Sequence, residues 1–292
     1  MNNIVPLSVE NMNLADAMGF SPSTSSSNTT EIYRISTGVI QEVVDGKVAN
    51  SPVFKIKKGD DEFLARSLDV RFFVERQRWQ KWDSSINMFQ RSVMANNLNM
   101  DLKDTQGTFN LGRPSGYIKD FNALPKDQQD FIRSVNRYKV FMGMAVFKDA
   151  FVEGGDPVLE HNGEVPFVYD VKNRESLQSI DGTIGKLMSK RISPVENLVT
   201  LTPEERTMPN GTKFAVVSAT LGATVGFSDG DNDVLQNFMD YIERSNEYIL
   251  KKWEEQNVER LCAYTASVNH LIYDGELLLK IRANTKSMLK LD

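Results

Sequence analysis

The sequence predicts a mainly β protein of the α+β class: an elaborated β-barrel or sandwich followed by a C-terminal helical region. Three observations carry that expectation. Apolar and polar residues alternate at period two in runs between residues 31 and 228, the pattern of half-buried strands. Turn-forming clusters such as Asp45-Gly46 and Pro209-Asn210-Gly211 separate those runs at short intervals. Repeated strand–helix units and internal repeats are absent from the sequence, so a Rossmann or TIM architecture is not expected.

Taken in order, residues 1–30 read as a flexible arm, because Ser23–Thr30 (STSSSNTT) is too polar to bury. Residues 31–228 form the β-rich core and residues 229–292 the terminal helix and tail. Within the core, Glu31–Ile56 is a hairpin about Asp45-Gly46, and Lys58–Asp61 is a second turn. Phe63–Trp82 is one long strand or two joined by a bend, and Asn87–Met94 is its return. Pro125 opens a helix that runs to about Ser134. Arg137–Phe151 alternates as a strand, with Tyr138, Val140, Met142, Met144 and Val146 on the core face. Val165–Val171, Glu196–Thr202 and Thr212–Phe227 are further strands. Arg174–Arg191 starts as a helix that should break near Asp181-Gly182 and Gly185. From Asp229 on, Leu235, Phe238, Ile242, Ile249 and Trp253 make an apolar stripe of helical period, which Leu261, Tyr264 and Val268 continue.

Composition narrows the function. The 292 residues are 40% hydrophobic and 25% charged, enough for a sizeable core. One cysteine, Cys262, rules out a disulfide framework within the chain and favours a reducing, cytoplasmic setting. That cysteine and two histidines, His161 and His270, make a Cys/His zinc site improbable and suggest no catalytic triad. Neither a membrane span nor a secretory signal is visible. No cofactor or metal site is predicted, and a non-enzymatic binding role is expected.

The net charge is −5, yet it is unevenly spread. From Arg71 to Lys139 there are 12 Lys/Arg against 7 Asp/Glu; from Pro203 to Arg260 there are 6 against 11. Binding responds to the local field within a Debye length, about 10 Å at 0.1 M salt. Inside the basic region, Val70–Arg91 (VRFFVERQRWQKWDSSINMFQR) interleaves Arg71, Arg76, Arg78, Lys81 and Arg91 with Phe72, Phe73, Trp79, Trp82 and Phe89. Cations that reach phosphates beside rings that stack on bases are what a single-strand groove requires. If the stretch is a regular strand, Phe72, Val74, Arg76, Arg78 and Trp82 share one face, and Phe73, Glu75, Gln77, Trp79 and Lys81 the other. A second candidate is the Gly-rich loop Phe109–Phe121, which carries Arg113, Tyr117 and Lys119. Arg137 and Lys139 complete the candidate nucleic-acid contacts.

Two weaker patterns are set aside. Asp181-Gly-Thr-Ile-Gly-Lys186 lacks the spacing of a phosphate loop and reads as a turn. Asp229, Asp231 and Asp233 have calcium-loop spacing, but Val234 and Asp240 stand where Gly and Glu belong. They read as helix-capping acids.

RFFVERQRWQKWD, GTFNLGRPSGYIKDFNALP and RYKVFMGMAVF together resemble a family of tailed-phage single-stranded DNA-binding proteins of replication and recombination. The resemblance covers roughly the central half of the chain. It implies an OB-like barrel, with inserted loops and helices, that coats single strands during genome copying. It also implies self-association and contacts with replication or recombination proteins. By position it points to Arg71, Arg76, Arg78, Trp79, Lys81, Trp82, Arg113, Tyr117 and Lys119. One departure stands out. Many such binders end in an acidic tail, whereas this chain ends LKIRANTKSMLKLD, with four Lys/Arg and one acid. The competing expectation is a virion structural or assembly protein that oligomerises through its arm and C-terminal helix.

Overall fold

The structure, a computed structural model, describes residues 32–44, 47–154, 156–158 and 163–288, with no side-chain detail from residue 261 on. The expected N-terminal arm, the Asp45-Gly46 turn, His161, the end of the basic tail and the side chains of Cys262, Leu261, Tyr264 and Val268 lie outside the described residues.

Nine strands form one mixed sheet: β1 (Tyr33–Val44), β2 (Lys47–Lys58), β3 (Asp61–Ala65), β4 (Ser67–Asp83), β5 (Met88–Arg91), β6 (Asn136–Lys148), β7 (Val165–Val171), β8 (Asn197–Thr207) and β9 (Lys213–Thr224). The order is β3-β2-β1-β7-β6-β4-β8-β9, with β5 added to β4. Among the described strands only the β1–β7 pairing is parallel. The helices are α1 (Lys126–Ser134), α2 (Arg174–Ser189) and α3 (Asp229–Met288).

The sheet curls so that β1 and β2 approach β8 and β9 across a shared interior, but it does not close into a barrel. Helix α2 stands at the free edge of β9. Ser176 Oγ accepts from the Val217 N–H at 2.9 Å and Ser179 Oγ from the Ala219 N–H at 2.8 Å. Thr183 Oγ1 donates to the Ala219 carbonyl at 3.0 Å. These side chains supply the hydrogen bonds that a further strand would have made, and the edge is thereby covered. Ile180 and Leu187 of the same helix are buried with Phe54, Phe72, Phe141, Phe167, Val199, Leu201 and Val217 in the interior core. This burial overrides the expected break: α2 runs unbroken through Gly182 and Gly185. It is held at its start by the Asn173 side chain, which accepts from the Ser176 N–H.

A second apolar cluster forms on the opposite face of the sheet. Val74, Val140, Met142 and Val168 pack there against Phe238 and Ile242 of α3. Strand β6 is therefore buried on both sides, with Phe141, Ala145 and Phe147 inward and Val140 and Met142 under the helix. A single core face had been expected; a strand between two layers has two. Each fully buried Phe or Ile contributes about 1.5–3 kcal/mol. Two further contacts pin the helix. Asn246 accepts from the Met94 N–H at 2.7 Å and donates to the Met94 carbonyl at 3.0 Å. The Trp253 indole donates to the Thr108 carbonyl at 3.0 Å.

One of the acids in the first turn of α3, Asp231, does more than cap the helix. Asp231 is buried and accepts from the Ser228 N–H at 2.8 Å, which closes the first turn. The same carboxylate binds the Arg71 guanidinium of β4 at 3.0 Å and 3.1 Å. Among the described residues no group of His, Cys, Asp and Glu is arranged to hold a metal, and no helix is long and apolar enough to cross a membrane.

Candidate nucleic-acid interface

The site depends on a break in the alternation of β4. The β4–β6 register shifts between Phe72 and Val74. Leu68, Val70 and Phe72 point into the interior, and Val74 emerges on the α3 side. A β-bulge of this kind re-aims every later side chain. Val74, Arg76, Arg78, Gln80 and Trp82 thereby share the face that already carries Arg71 and Phe73. The expected grouping of Phe72 with Val74 is corrected: the bulge puts them on opposite faces. Gly143 of β6 pairs with Phe72. A Cβ built on it would lie 1.9 Å from the Arg71 carbonyl oxygen, so glycine is what lets the strands approach here.

Several expected phosphate ligands are committed elsewhere. Arg71, 7% exposed, binds Glu164 through Nε at 2.8 Å and Nη2 at 2.5 Å, as well as Asp231. Burial opposes its charge, but the two carboxylates more than offset this and raise its pKa. Arg78, 2% exposed, is paired with Asp170. Lys139 is buried between Glu75 at 2.8 Å and Asp181 at 2.9 Å. Cations neutralised by carboxylates in a low-dielectric setting are structural pairs, not free phosphate ligands. Phe73 is half-buried against Phe238 of α3, their rings 6.0 Å apart, and so docks the helix.

Trp79, Lys81 and Arg113 meet on the other face of β4. The Arg113 guanidinium lies 4.9 Å from the Trp79 ring centre, and Lys81 Nζ lies 4.7 Å from that of Phe131. Arg113 also donates to the Ile132 carbonyl at 2.7 Å, and burial lowers its pKa. The Gly-rich loop thus does fold beside β4, but Arg113 already occupies one Trp79 face. Tyr117, 93% exposed, and Lys119 and Arg137 are solvent-facing. Arg76 contacts the Glu75 carbonyl at 2.8 Å and Met239 sulfur at 3.6 Å.

What remains converges on two adjoining clefts. The larger, ≈ 760 Å³, is lined by Arg34, Gln80, Phe89, Arg91, Tyr138, Asp170 and Lys172, among others. The smaller, ≈ 440 Å³, is lined by Trp82, Phe89, Arg91, Tyr248, Lys252 and neighbours. Phe89 and Arg91 belong to both. Trp82 is 47% exposed and meets Phe89 edge-on, with centroids 4.8 Å apart. Lys172 Nζ lies 5.9 Å from the Tyr138 ring centre. The joined clefts are lined by both rings and cations.

Electrostatically, Arg91 is the centre. Burial is the first cause that lowers its pKa, and repulsion from Arg78 and Arg34 adds to it. Asp170 pulls the other way but is already bound to Arg78. Among the described residues, Arg91 Nε and Gln80 Oε1 are buried without a hydrogen-bond partner. Of the expected contacts, then, Trp82 and Arg91 reach the clefts. Arg34, Tyr138, Lys172, Tyr248 and Lys252 were not foreseen, since they arrive from β1, β6, the segment just after β7, and α3. No short-range sequence signal joins those elements.

Comparisons with family models, curated proteins and solved structures returned no match.

Proposed function

We propose that this protein binds single-stranded DNA without catalysing a reaction on it, coating strands in phage replication or recombination and contacting the proteins of that process. One observation carries the reading: two clefts share Arg91 and Phe89, and both are lined by cations together with aromatic rings. Single strands bind such surfaces by charge neutralisation and sequence-tolerant stacking. The curled sheet takes the part of an OB-like barrel, with β1, β4, β5, β6 and β7 among the walls of the larger cleft and β4, β5 and α3 as those of the smaller.

Anisotropy of a labelled oligo-dT, titrated at several salt concentrations, tests this. With Arg34, Arg91, Lys172 and Lys252 on phosphates, log K should fall with log salt at a slope of about −3. Trp82→Ala should weaken binding by about 1–3 kcal/mol and leave the unfolding midpoint unchanged. The absence of binding at low salt would sink the proposal.

A second reading has its own support. Helix α3 continues 28 residues past Arg260, about 42 Å at 1.5 Å per residue. Long helices draw most of their stability from packing, and a neighbouring copy would supply it, as in an assembly protein. Light scattering without nucleic acid would then give a closed oligomer at all concentrations. A concentration-independent monomer would remove this reading.

A further inference from the structure

Three residues that line the larger cleft carry a buried polar atom without a partner: Gln80 Oε1, Arg91 Nε and Asp170 Oδ1; the first two belong to neighbours. Gln80 and Arg91 face each other across the β4–β5 pairing, so their side chains rise from the same face. Both line the cleft. Gln80 is 4% exposed, and its Oε1 is a buried acceptor with no donor among the described residues. Arg91 is a half-buried cation whose Nε has no acceptor there. Protein interiors seldom leave such groups unmet. One ligand that brings an anion and an N–H donor together would satisfy both.

The surroundings define that ligand further. Arg34 and Lys172 add positive charge at the cleft wall. Asp170 is bound to Arg78 through Oδ2, and its Oδ1 is a second buried acceptor that the N–H donors of a ligand would satisfy. Tyr138, Phe89 and Phe214 add flat apolar surface. The space, ≈ 760 Å³, is far larger than a phosphate needs. A phosphate attached to a flat heterocycle fits all of these features.

We infer that the larger cleft is a discrete single-nucleotide subsite, in which Arg91 holds the phosphate and Gln80 Oε1 accepts from the exocyclic amine of the base. The inference rests on the reading of the joined clefts as a nucleic-acid groove. Cytosine and adenine present an amine with two N–H donors. Thymine presents a single N–H between two carbonyls, whose lone pairs would face Gln80 Oε1. The subsite therefore favours amine-bearing bases over thymine, and one that belongs to the strand should be matched by a free mononucleotide.

Calorimetric titration of the full chain with dCMP, dTMP, deoxycytidine and inorganic phosphate tests this. The expected order is dCMP tightest, about fivefold over dTMP and about tenfold over deoxycytidine and over phosphate alone. Gln80→Leu should bring dCMP down to the dTMP level and leave dTMP unchanged. Arg91→Gln should weaken both about tenfold. The ligand series on the unaltered protein stands even if a variant fails to fold. Equal binding of dCMP and dTMP, equal binding of dCMP and phosphate, or no mononucleotide binding at millimolar concentration overturns the subsite. If oligo-dT still binds in those cases, the groove reading survives and only the subsite falls. If dCMP binds as expected and oligonucleotides do not, the groove reading fails and the cleft is a site for free nucleotides.

Discussion

Gly143→Ala should lower the unfolding free energy by about 3 kcal/mol or more, a large share of a typical domain's stability. The added Cβ would sit 1.9 Å from the Arg71 carbonyl oxygen and 3.0 Å from its carbon, with Phe167 at 3.2 Å on the interior side. The first two are backbone atoms in a central strand pair, so no side-chain rotation relieves them. β4 and β6 must separate, and the bulge at Phe72/Val74 loses its footing. Because that bulge sets which face of β4 carries Gln80 and Trp82, both of which line the clefts, oligonucleotide binding should fall with stability. Gly182→Ala gives the contrasting control. Its position in α2 has nothing within 4 Å of an added Cβ, and a helix-interior Gly→Ala change gains about 0.5–1 kcal/mol. Urea unfolding of the two variants should move in opposite directions. A Gly143→Ala protein as stable as the parent would mean that the close approach of β4 and β6 is not a constraint on the fold.

The contrast also shows what was legible in the sequence. Strand after strand could be placed, because alternation and turn residues are local properties: Lys58–Asp61 and Pro209–Gly211 both fall at observed turns. The bulge was not legible, since nothing in RFFVERQ marks where one residue is inserted against Gly143. The period-two reading therefore holds on either side of the bulge and fails across it, where Phe72 and Phe73 exchange partners. The fate of the cations was hidden for a related reason. Arg71, Arg78 and Lys139 are neutralised by Asp231, Asp170 and Asp181, which lie on other elements. A basic stretch looks free only while its acids are out of sight. Arg91 shows the converse, because its exceptional character comes from two guanidiniums nearby and a carboxylate already taken. Helix α2 adds a third case: two glycines argued for a break, and buried Ile180, Thr183 and Leu187 outweighed them.

Arg71→Leu should be destabilised by about 3–5 kcal/mol at neutral pH, because it leaves the Asp231 carboxylate buried without its counter-ion. Asp231 is nearly enclosed, and Arg71 supplies two of its contacts, at 3.0 Å and 3.1 Å. Burial alone would raise the Asp231 pKa; hydrogen bonds from Arg71 and Ser228 outweigh it and hold the group below its ordinary value. A carboxylate depressed on folding stabilises the native state above its unfolded pKa, about 3.9. That stabilisation is lost as pH falls through the lower folded value. In Arg71→Leu only the Ser228 hydrogen bonds still oppose burial, so the depression shrinks and Asp231 takes up a proton more readily. The stability gap between parent and variant should thus be widest near pH 7 and narrow below about pH 4. The double variant Arg71→Leu/Asp231→Leu should recover much of the loss, since replacing both members of a buried pair is far milder than orphaning one. Urea unfolding at pH 7 and pH 3.5 measures all of these. A gap that stays constant with pH would show that Arg71 acts through packing on Phe73, whose ring centre lies 5.2 Å from its guanidinium, and not through its charge. Because Asp231 sits in the first turn of α3, the pair also fixes the helix that brings Tyr248 and Lys252 to the smaller cleft. Loss of oligonucleotide affinity in Arg71→Leu should therefore track the loss of stability, and both should return together in the double variant.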